Sequence, residues 1–138
     1  MRAVLRALTC SAALYAGAAG ACGHCVEDKV ASVYDYAVAS RAFSQKQQVA
    51  FFGIDGALVV NDDSRRALEG VARGVAGVDP DSLRVSLDTA SLSIAFDPRR
   101  TGFAALQKAL EKRLASRHLT LLPMKVMDAP ATLKAAPQ

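Results

Sequence analysis

Soft ligands are scarce in this chain. Three cysteines and two histidines occur among 138 residues, too few and too scattered for a closed structural zinc site within one chain, which usually takes four ligands. Long apolar runs are missing as well. None reaches the roughly 18–20 residues of a membrane span. There is no phosphate loop, no G-x-S-x-G elbow and no H-E-x-x-H pair, so nothing points to a nucleotide enzyme or a hydrolase. A surplus of one charge is also absent. The formal charge is +4, but without Arg2 and Arg6 of the leader 15 basic residues face 13 acidic ones, a balance of about +2. The basic residues lie among acids rather than in a stripe, which argues against nucleic acid as the partner. The length suits one domain with a single core.

What the chain does have is a dense group of soft ligands in one place, Cys22-Gly23-His24-Cys25. Before it runs a leader with a basic start (Met1, Arg2, Arg6), an apolar stretch from Ala7 to Ala16 and small residues after it. That order reads as a secretory signal over residues 1–21, and implies export to the periplasm or medium of a bacterial cell with no membrane span after cleavage. Two A-x-A sites are available, Ala16-Gly17-Ala18 and Ala19-Gly20-Ala21. Cleavage at the second makes Cys22 the first mature residue. An uncleaved N-terminal helix and a lipid on Cys22 are the alternatives, although Ala19 stands where an acylation signal prefers a larger aliphatic residue.

Cys10 leaves with the leader, so the mature chain carries Cys22 and Cys25 alone. A disulfide is the plain expectation for such a pair in an oxidising compartment. Closing so short a loop removes little chain entropy, however, so the pair suits chemistry better than stapling. Two thiolates at this spacing chelate one ion, and soft sulfur selects Cu(I) or Zn(II). Two ligands suffice for an exchangeable cuprous site, with His24 as a third, auxiliary ligand. Alternatively two chains share one ion through four sulfurs. If the mature chain starts at Cys22, its amine, two amides and His24 also fit the square plane favoured by Cu(II) or Ni(II). The competing class is thiol–disulfide exchange, since Cys-Gly-His-Cys at a helix start is also a redox motif and the intervening histidine stabilises the leaving thiolate. A structural or interaction module without metal is the third possibility.

The remainder gives the fold class. Val26, Val30, Val33, Tyr34, Ala37 and Val38 recur on one helical face, with Glu27 and Asp28 in the first turn; this predicts one amphipathic helix that fades into a polar connector near Ser40 to Gln48. Val49 to Ile54 reads as a buried strand, bounded by Asp55-Gly56. Asn61 to Ser64 offers N-caps for a helix carrying Leu68, Val71, Ala72 and Val75, ended by Gly74 or Gly77. Leu83-Val85-Leu87 and Leu92-Ile94-Phe96 alternate with polar or small residues, which predicts an antiparallel hairpin with one buried face and a turn over Asp88–Ser91. Thr101 caps a further helix with Phe103, Leu106, Leu110 and Leu114 on one side. His118 to Leu122 reads as a last strand, ended or pushed to an edge by Pro123. Met124 and Met127 are soft side chains but read as packing. Residues 128–138, rich in Ala and Pro, are expected to be disordered.

The order over residues 49–127 is β-α-β-β-α-β, so the expected class is α+β, a ferredoxin-like sandwich with an additional N-terminal helix over residues 22–48. The Gly53-Ile54 strand end, Ala67-Leu68, Gly77-Val78, the Val-Ser-Leu strand and Ile94-Ala95-Phe96-Asp97-Pro98 together resemble the heavy-metal-associated domain of copper chaperones and metal-transporting ATPases. The resemblance implies metal binding and hand-over to a partner protein. That family places its C-x-x-C between the first strand and first helix. Here Asp55-Gly56-Ala57-Leu58-Val59-Val60 occupies that place, with Gly56 and Val59 where the cysteines stand, and the cysteine pair lies instead at Cys22 and Cys25. A relocated metal site and a degenerate domain without metal are the two readings.

Overall fold

A computed structural model describes residues 25–130. The leader, Cys22, Gly23, His24 and the chain beyond Pro130 lie outside the described residues. In chain order the elements are α1 (Val26–Val33), α2 (Tyr36–Ser44), β1 (Gln48–Gly56), α3 (Asp62–Glu69), β2 (Arg84–Ser86), β3 (Ser91–Phe96), α4 (Phe103–Leu114) and β4 (Leu119–Met127), with short 3-10 turns at Pro80–Ser82 and Ala115–Arg117. The strands form one sheet in the order β2-β3-β1-β4, every neighbouring pair antiparallel. The chain is thus α+β, and its sheet order is compatible with a ferredoxin-like fold.

Both faces of the sheet centre are covered. Ala50, Phe52 and Ile54 of β1 and Leu92, Ile94 and Phe96 of β3 point to one side, where Leu68 of α3 and Leu106, Leu110 and Leu114 of α4 close a large core. Phe52 and Phe103 stack there with ring centroids 5.3 Å apart. The alternate residues Val49, Phe51 and Ala95 face a second, smaller core with Val33 of α1 and Ala39 and Ala42 of α2. Each fully buried Phe or Leu is worth roughly 1.5–3 kcal/mol of burial, and the larger core holds most of them.

The helix expected over Val26–Val38 is two helices. Tyr34 and Asp35 are extended, and the Asp35 carboxylate accepts the Val38 amide at 3.1 Å as the N-cap of α2. The second carboxylate oxygen takes Arg84 Nε of β2 at 2.9 Å. A capped start and an ion pair outweigh continuation through one apolar stripe. The second helix then runs to Ser44 instead of fading near Ser40, and Arg41 pairs with Asp79 at 3.0 Å.

Four further details differ from expectation. α4 has Gly102 as its N-cap residue, with no side-chain cap, in place of the expected Thr101. β3 is buried on both faces rather than one, because Ser91 and Ser93 meet α1 instead of water. The helix begun by Asn61, whose side chain accepts the Ser64 amide at 2.8 Å, ends at Gly70, and turns carry Val71 and Ala72 into the core. Finally, β4 continues through Pro123 to Met127, with a bulge opposite Phe51 and Phe52. Pro123 is tolerated because β4 is an edge strand. His118 precedes that strand with a left-handed backbone, φ 55°.

Candidate functional site

Cys25 is the N-cap residue of α1, with extended dihedrals of φ −68° and ψ 165°, and its side chain is exposed. Its carbonyl accepts the Lys29 amide at 3.1 Å, but its side chain caps nothing. The sulfur is therefore spent neither on packing nor on closing the helix. Glu27 and Asp28 follow in the first turn, as the sequence indicated. Cys22 and His24, the other two expected ligands, lie outside the described residues. Among the described residues, no three His, Cys, Asp or Glu side chains form a metal-sized cluster.

The helix that carries Cys25 is fixed to β3 by hydroxyl groups. Ser91 Oγ (3.2 Å) and Ser32 Oγ (2.7 Å) donate to the Lys29 carbonyl. Thr89 Oγ1 stands 2.7 Å from each of those hydroxyls. Closer to the α1–α2 junction, Ser93 Oγ donates to the Val33 carbonyl at 2.6 Å in a buried bond. That carbonyl lies in the last turn of α1 and has no partner within the helix.

Beside α1, between it and β4, runs an open apolar groove of about 540 Å³ lined by Val26, Val30, Tyr34, Met124 and Met127, with Glu27 and Lys125 also on its walls. The bulge in β4 makes this wall. In a regular strand Met124 and Met127, three residues apart, would face opposite sides; the extra residue brings both to the α1 side, where they pack on the smaller core. Sequence reading took the methionines as packing and did not find the groove, because a bulge leaves no mark in a short run.

The chain matches no protein-family model, no curated protein and no solved structure.

What the site can do therefore follows from its residues. The stretch from Asp55, at the end of β1, to Val60, where the resembled family carries its cysteines, has Asp55 as its one ionisable side chain and ends in the exposed pair Val59 and Val60. Gly56 there has φ +118°, and a Cβ on it would collide with the His118 carbonyl oxygen. The loop meets the start of β4 at Gly56, packs Leu58 on the larger core and offers a metal no sulfur. His118 lies beside Lys108, Lys112 and Thr120 in a separate concavity. Among the described residues, no helix is long and apolar enough to cross a membrane.

Proposed function

We propose that this is an exported ferredoxin-like protein of the heavy-metal-associated type, with an additional N-terminal helical layer, that binds copper as Cu(I) and passes it on. Cys22 and Cys25 supply the thiolates and His24 an auxiliary nitrogen; Zn(II) is the second metal this donor set accepts. The observation that carries the reading is the place of Cys25, exposed at the outer end of α1 with its side chain committed to no cap. A two-thiolate site in such a position suits hand-over to an acceptor protein, or sharing of one ion with a second copy, better than storage. The empty β1–α3 loop supports the same assignment, since it leaves the N-terminal pair as the chain's one C-x-x-C. The basic start, apolar stretch and small residues of 1–21 support a periplasmic or secreted bacterial location, and the +4 formal charge is too small and mixed to add nucleic acid to its partners.

The test is a Cu(I) competition titration of the reduced protein against a chromogenic chelator, with metal analysis and intact mass on the same sample. One ion per chain, or one per two chains, is expected. The Cys22→Ser, Cys25→Ser variant is expected to bind at least about 100-fold more weakly, as loss of both anionic sulfur ligands requires. Equal binding by that variant sinks the reading.

A second reading draws on the same placement. A C-x-x-C beside a helix start, with its sulfur exposed, is also the arrangement of a pair that forms and breaks a disulfide by exchange. In that case the pair has a measurable reduction potential and reduces insulin disulfides, while metal affinity is low.

A further inference from the structure

The two helices on the smaller core are held very differently. α2 buries Val38, Ala39 and Ala42, its N-cap Asp35 is paired with Arg84, and Arg41 is paired with Asp79. By contrast, α1 buries one residue, Val33, at its last position. Val30, one turn earlier, is half-buried against the same core, and the remaining attachment is polar and graded along the helix. The buried Ser93 bond grips the end next to the junction, and the Ser32, Thr89 and Ser91 hydroxyls grip the middle. At the Cys25 end Val26 is 53% exposed, and among the described residues no side chain caps the first-turn amides. Three hydroxyl protons also serve five contacts among Ser32, Thr89, Ser91 and the Lys29 carbonyl. At most three of those contacts are hydrogen bonds at any moment, so the latch is weaker than its number of short distances suggests.

We propose that α1 is a hinged arm. It detaches from β3 as a unit about the extended pair Tyr34-Asp35, while α2 and the sheet stay folded, and so swings Cys25 away from the body. Segments with little buried apolar surface open locally at free energies far below global unfolding, and α1 is such a segment with a fixed pivot. In the open form water replaces Ser91 on the Lys29 carbonyl and Ser93 on the Val33 carbonyl, while the bond from Ser32 to Lys29 lies within α1 and is kept, so few polar groups are left unpaired. The use of this motion in metal transfer rests on the copper reading above. The motion itself does not, because it follows from how α1 is attached.

Native-state hydrogen exchange on the full metal-free chain tests it. The hydrogen-bonded amides of α1, from Lys29 to Val33, are expected to exchange at least about 100-fold faster than those of α2 and the centre of β1. Ser32→Ala removes one latch hydroxyl at an exposed position that no core depends on. It is expected to speed α1 exchange about three- to tenfold, the effect of one lost hydrogen bond, with α2 unchanged. Exchange of α1 within about threefold of α2, or a Ser32→Ala effect spread over both helices, overturns the hinge. A Cu(I) titration on the same samples keeps the two ideas apart: fast α1 exchange without metal binding retains the arm and removes its cargo, and metal binding with slow α1 exchange does the reverse.

Discussion

Asp35 shows how much one carboxylate decides. The Val38 amide, and after it the Arg84 guanidinium, hold its carboxyl below the ordinary value of 3.8. A group depressed in the folded state contributes stability above its unfolded value and loses it as pH falls through the lower folded one. Asp35→Asn keeps an oxygen for the cap and removes the charge. In acid titrations followed by far-UV circular dichroism, that variant is expected to lose less stability than the wild type below about pH 4, and to be the less stable of the two at pH 7. Gly56 is the other decisive residue. Its φ of +118° and the His118 carbonyl beside it leave no room for a side chain. Gly56→Ala is expected to cost on the order of 2–4 kcal/mol in chemical denaturation, since it adds a steric clash to an unfavourable backbone conformation. Asp97, held low by the Arg99 side chain and amide, contributes in the same pH range as Asp35, so acid sensitivity is reduced in the Asp35 variant and not abolished.

Elements were legible in the sequence wherever local chemistry and long-range packing agree. α3 starts at the cap that Asn61 announces, and α4 buries the Leu106, Leu110 and Leu114 that its spacing selects. Asn61→Ala is expected to lower stability by about 1 kcal/mol through loss of that cap, measured as a shift in urea midpoint at constant slope. Elements were illegible where a distant partner decides. The break between α1 and α2 depends on Arg84, 49 residues away, and the burial of Ser93 depends on a helix carbonyl 60 residues earlier. Serine alternating with leucine reads as a half-solvated strand, and nothing local distinguishes a hydroxyl facing water from one facing a helix. The candidate site divides the same way. The position of Cys25 at a helix start follows from neighbouring residues, whereas the methionine-lined groove follows from a bulge set by pairing with β1.

Over the whole molecule, β1 joins the two cores. Phe51 and Phe52 are adjacent and both fully buried, yet they belong to opposite sides of the sheet. Truncation of either to alanine is expected to cost about 3–5 kcal/mol. Each is expected to move a single unfolding transition rather than split it, because the strand between the cores cannot fold for one alone; two separate transitions in calorimetry would show the layers to be independent. The tyrosines carry a further consequence. The chain has no tryptophan and three tyrosines in all, and the two within the described residues, Tyr34 and Tyr36, flank Asp35 at the junction of α1 and α2. Both are solvent-facing, at 43% and 75% exposure. Among the described residues, tyrosine emission therefore arises from a three-residue span at that junction, so the chain carries its own fluorophore pair there and needs no added dye to report on it.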